Sequence, residues 1–103
     1  MLDRELLELA AKAAGIDYRP QYDLVKTSIG WDTWDPLTDD GDALRLAVKL
    51  RIEVDYYLAD VQAKHDDCDP VFELLSEHSD ACAATRRAIV RAAAATKEPT
   101  HEQ

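Results

Sequence analysis

The stretch Trp34-Asp35-Pro36-Leu37-Thr38 constrains this chain more than any other. Proline fixes its own φ and pushes the residue before it toward extended backbone, so the chain reaches Asp35 extended and turns at Pro36. A helix follows at once. Thr38 is placed as its N-cap, with a hydroxyl that can accept from the amides near Gly41. Asp39, Asp40 and Asp42 bring negative charge to the positive end of the helix dipole. This second helix is expected from about Asp39 to Leu50, with Leu44, Ala47, Val48 and Arg51 on one stripe and Ala43, Leu46 and Leu50 beside it. An apolar arc that wide predicts a helix that packs on a sheet and also touches another helix.

Elsewhere the spacing of apolar residues sets the elements. Leu2, Leu6, Leu9 and Ala13 share one helical face, Glu8 and Lys12 stand four apart in the favourable order, and Gly15 stops the first helix after Ala14. Residues 16–33 hold Tyr18, Tyr22, Leu24, Val25 and Ile29, which predicts a packed, irregular segment with room for a short strand. After Leu50 the period becomes two: Ile52, Val54, Tyr56 and Leu58 alternate with Glu53, Asp55 and Tyr57, the pattern of a half-buried strand. The acids and Pro70 between Asp60 and Pro70 predict a loop or hairpin end, with Val61 to Lys64 extending a strand into it; in Val71 to Ser76, Phe72, Leu74 and Leu75 fit a strand or a short helix, and strand is the preferred reading. Asp80 caps a third helix from Ala81 to about Thr96, with Cys82, Thr85, Ile89 and Ala93 on one stripe. These elements define one α+β domain over residues 1–97, in the order helix, helix, strands, helix, followed by a polar tail over 98–103.

Charge and composition narrow the function. A formal net charge of −9 argues against direct binding of nucleic acid through its phosphates. The apolar runs are short and broken by charge, which argues against a membrane span, and Asp3, Glu5 and Glu8 occupy the place of an export segment. The expected compartment is the cytoplasm, where Cys68 and Cys82 would be free thiols. With three glycines, and no Gly-rich phosphate loop, nucleophile elbow or His-Asp-Ser arrangement, the chain is expected to be non-enzymatic and to need no cofactor.

Several side chains are candidates for binding. His65, Cys68, His78 and Cys82 form His-x2-Cys-x9-His-x3-Cys, and all four residue types ligate zinc. The spacing is shorter than in familiar fingers, and Cys82 falls in the apolar stripe of the third helix, where a small buried thiol is ordinary. Asp35, Asp39, Asp40 and Asp42 fail the calcium-loop pattern, because Pro36 and Ala47 would take its first and twelfth positions; helix capping accounts for them, with loose divalent binding the minor alternative. Trp31 and Trp34 can either roof the core or line a pocket for a planar ligand, with Asp32 or Asp35 accepting hydrogen bonds from it. Arg86, Arg87 and Arg91 can grip a phosphate or carboxylate, or pair with acids on a helix face.

Trp34-Asp35-Pro36-Leu37-Thr38 with the following helix, and Ala83-Ala84-Thr85-Arg86-Arg87-Ala88-Ile89-Val90-Arg91-Ala92, together resemble the phage ABA-sandwich domain family. The resemblance implies a small antiparallel sheet between layers of helix and a phage or prophage origin, and it implies no reaction. The leading expectation is an acidic accessory protein in the cytoplasm of a bacterial host, acting by binding a host or phage protein, with homo-oligomerisation a further candidate mode of association. One alternative is a small-ligand module in which the Trp31/Trp34 turn meets the third-helix arginines. Another is an acidic DNA mimic that occupies a host nucleic-acid-binding protein.

Overall fold

A computed structural model describes residues 2–96 apart from Asp23 and Ser28, so the expected tail at 98–103 lies outside the described residues. The elements are α1 (Asp3–Ala14), β1 (Tyr18–Arg19), β2 (Leu24–Thr27), β3 (Gly30–Thr33), α2 (Asp40–Leu50), β4 (Glu53–Tyr56), β5 (Asp60–His65), β6 (Cys68–Leu74), a 3-10 turn (Leu75–Glu77) and α3 (Ala81–Ala95). The fold is α+β, with helices packed against two antiparallel three-stranded sheets of order β1-β2-β3 and β4-β5-β6.

The first sheet is the larger departure from the expected single sheet. Residues 18–33 form a meander in which Tyr18 pairs with Val25, and Lys26 with Trp31. Only Val25 among its strand residues is buried, so the strands lack the alternation that would have announced them. The second sheet reaches further than expected. β6 begins at Cys68 inside the acidic segment, and Pro70 is accommodated because β6 is an edge strand whose register is irregular between Ala63 and His65.

α3 is the element on which the others rest. It packs on β5, β6, α1 and α2. Asp80 caps it by accepting from the Ala83 amide at 2.8 Å, as expected. Its face toward the interior is built of Ala84, Ala88, Ala92 and Ala93 with Ile89 and Val90, and α1 meets it with Leu6, Leu7, Ala10, Ala11 and Ala14. The buried side of α1 is thus an alanine-rich face, and Leu2 and Leu9 are exposed. Leucines suggest the stripe in the sequence, but two helices that approach over small side chains bury their alanines.

The turn before α2 is held by its own acids. Asp35 Oδ1 accepts from the Leu37 amide at 3.1 Å, and its carbonyl accepts from the amides of Thr38 and Asp39 at 3.1 and 2.9 Å. The N-cap is Asp39, one residue later than expected, and accepts from the Asp42 amide at 2.8 Å. Thr38 instead turns its hydroxyl back toward the Asp35 carbonyl. Buried Asp42 closes the loop by accepting from the Asp35 amide at 2.9 Å and from Arg45 at 2.8 Å. At the far ends of α1 and α2 the caps are left-handed, with φ 69° at Gly15 and 58° at Arg51.

α2 corrects the expectation for its arc. It packs on α3 and, less closely, on α1, and buries Ala43, Leu46 and Ala47. Leu44 and Val48, on the stripe expected to be covered, are 64% and 69% exposed.

Because Ala88 is fully buried where α3 packs against its neighbours, Ala88→Leu is expected to cost roughly 1–3 kcal/mol by overpacking. Urea unfolding followed by circular dichroism measures it.

Candidate functional site

The exposed side of α2 faces β4 and α3 across a groove of about 880 Å³. Leu44, Ala47 and Val48 of α2 form one wall, Val54 and Tyr56 of β4 another, and Cys82, Thr85 and Ile89 of α3 lie between them. Tyr56 is 63% exposed, and its hydroxyl is hydrogen-bonded to Thr85 Oγ1 at 3.2 Å, while Thr85 donates to the Ala81 carbonyl at 2.7 Å. Asp40, Glu53, Asp66, Arg51 and Arg86 add the charged groups of the lining. The Arg86 charge is already taken: Nη1 donates to Asp40 at 2.6 Å, and Nε donates to the Leu37 carbonyl at 2.8 Å. That pair ties α3 to the turn before α2 and fixes one end of the groove.

The two other arginines of α3 go elsewhere. Arg87 pairs with Asp3 at 3.0 Å at the start of α1, whereas Arg91 donates to the Phe72 carbonyl at 3.1 Å and to the Glu73 carboxylate. Glu73 is buried and also accepts from His78 Nε2 at 2.7 Å. Burial pushes its carboxyl up, but the hydrogen bonds from His78 and Arg91 and their charges outweigh it, so the pKa lies below the ordinary glutamate value. Arg87, Arg91 and Glu73 border a separate depression with Leu6, Val71, Ala94 and Ala95.

The tryptophans are divided. Trp34 is 6% exposed and packs edge-on against Tyr18, with ring centroids 5.0 Å apart, so it roofs the core. Trp31 is half exposed, with the Arg19 guanidinium 5.3 Å from its ring centroid, and borders a small surface cavity with Gln21, Tyr22 and Leu24. The proposed shared pocket of Trp34 with Arg87 or Arg91 is therefore not assembled in any of these three cavities, and Arg86 is the α3 arginine that reaches the turn. Asp35 spends its carboxylate on the turn itself.

The His-Cys pattern is also dispersed. His65 and Cys68 are register partners at one end of the β5–β6 hairpin, and His65 Nδ1 accepts from the Asp67 amide. His78 is bound to Glu73, and Cys82 sits in the groove, exposed rather than buried in a core stripe. Among the described residues no three His, Cys, Asp or Glu side chains group as metal ligands would. Cys68 donates toward the Ala92 carbonyl at 3.7 Å, and burial raises its pKa above the ordinary thiol value.

No family model, curated protein or solved structure matches the chain. No helix among the described residues is long and apolar enough to cross a membrane. Sequence reasoning missed the groove as a site, although its signal was present as an α2 arc wider than one packing face can cover.

Two outcomes follow from these environments. A folded pKa below the unfolded one makes the Glu73 contribution fully present above the ordinary glutamate range and lost as pH falls through the folded value. Glu73→Gln is thus expected to cost roughly 1.5–3 kcal/mol near neutral pH, with the gap from wild type narrowing in acid, as denaturant unfolding at a series of pH values will read. Cys82, being exposed, is expected to react with iodoacetamide well ahead of Cys68, as mass spectrometry of timed aliquots will register.

Proposed function

We propose that this protein is a non-enzymatic binding module whose partner is another protein, received in the groove between α2, β4 and α3. The observation that carries the reading is the exposure of Leu44 and Val48, one turn apart on α2, at the wall of that groove. Exposed apolar residues scattered singly are ordinary, whereas two neighbours beside Tyr56 and Ile89 in a concave surface form a patch of the kind partner proteins cover. The acidic surface is the weaker support. Asp3, Asp40, Asp55 and Glu73 are paired with basic side chains, and Asp35, Asp39, Asp42 and Asp80 accept from amides of their own turns. Carboxylates held in this way are poor stand-ins for a run of phosphates, which favours a partner received in the groove over DNA mimicry. The resemblance to phage ABA-sandwich proteins adds a setting, a small accessory protein at work in a bacterial host.

Cys82 supplies the test, because it lies in the groove and is exposed. Protein carrying a photo-crosslinker on Cys82 is expected to capture a defined protein from bacterial lysate. The Leu44→Lys/Val48→Lys variant, with unchanged folding, is expected to capture at least about tenfold less, as hot-spot residues do. Equal capture by both proteins overturns the reading.

A further inference from the structure

Resting on that reading, the geometry points to the partner's chemistry: an extended segment of alternating apolar and basic residues that adds a strand to the free edge of β4. β4 is an outer strand of its sheet. The Tyr57 amide donates to the Asp60 carbonyl at 2.8 Å across the two-residue turn that follows β4. Antiparallel alternation then turns the N–H and C=O groups of Val54 and Tyr56 away from β5, toward the open edge. The opposite edge is protected differently. β6 carries Pro70 and a register irregularity, and Arg91 donates to its Phe72 carbonyl, whereas the residues of β4 are in regular register with β5 and contain no proline.

The two faces of β4 specify the two kinds of side chain. Val54 and Tyr56 line the groove, so every second residue of an added strand would point between them and the exposed Leu44 and Val48. The intervening residues would stand on the other face, beside Asp55, the β4 residue that does not line the groove. β5 already displays the match, because Lys64 reaches the Asp55 carboxylate at 2.7 Å from its side of the strand. A second copy of this chain is the poorer occupant: pairing of two β4 strands centred on Val54 or Asp55 sets Asp55 against Glu53 or against Asp55 of the other copy, and like charges directly opposite are destabilising. The net charge of −9 further favours a basic segment and steers it in.

The probe is a capped heptapeptide, Lys-Val-Arg-Val-Lys-Val-Arg, titrated into the isotopically labelled full chain by NMR. Expected are saturable shifts at Val54, Asp55 and Tyr56 and on the α2 wall, affinity that falls as salt rises, and at least tenfold weakening by Leu44→Lys/Val48→Lys. N-methylation of one alternate set of peptide amides should abolish binding, and N-methylation of the other set should change it less than threefold. Tighter groove binding by a helical Leu/Lys peptide, or indifference to both N-methylated sets, overturns strand addition and leaves the groove as the binding surface. Absence of shifts at β4 with the heptapeptide also overturns it, and the groove itself is then judged by the Cys82 capture.

Discussion

Close approach at α3 is the constraint on which the rest of the structure depends. A helix that packs on two strands and two other helices can do so only if its interior side chains are small, and Ala84, Ala88, Ala92 and Ala93 meet that condition. Alanine also has the highest helix propensity, so the residues that permit the packing also favour the helix. The larger Ile89 and Val90 fill the space that remains. Trp34 and Pro36 belong to the same buried interior, which links the turn before α2 to this centre.

The cations of α3 are distributed as anchors. Arg86 binds the entry to α2, Arg87 the first residue of α1, and Arg91 the edge of β6 with its buried carboxylate. Exposed pairs of this kind contribute little one by one, whereas Glu73, buried and bound from two sides, contributes more. In a strongly acidic chain, three arginines on one helix give α2, α1 and β6 each a specific partner. They therefore determine orientation more than total stability.

Helix positions were legible because their signals are local. α1 and α3 begin and end as expected from the Gly15 stop and the Asp80 cap, and the shift from Thr38 to Asp39 at α2 is a choice between adjacent capping side chains. Strands 18–33 were not legible, since a small sheet with one buried residue lacks a period to detect. The groove lay hidden for a different reason. Periodicity identifies which residues of α2 are apolar, but only the tertiary packing decides that Ala43, Leu46 and Ala47 are covered and Leu44 and Val48 are not. Ligand patterns such as His65, Cys68, His78 and Cys82 fail for the same cause, because β6 and the 3-10 turn carry the second half of the pattern away from the first.

α1 and α2 end with the same backbone device but with different residues. Glycine adopts the left-handed conformation freely at position 15, whereas the arginine at 51 holds it against its own Cβ, at a cost of about 1 kcal/mol. Stability alone would favour glycine there. Arg51 instead keeps a long cationic side chain at the α2 end of the groove, two residues before β4 begins. Foldability and surface chemistry therefore pull in opposite directions at a single residue, and the turn between wall and edge strand is where this chain carries conformational strain in exchange for a charge.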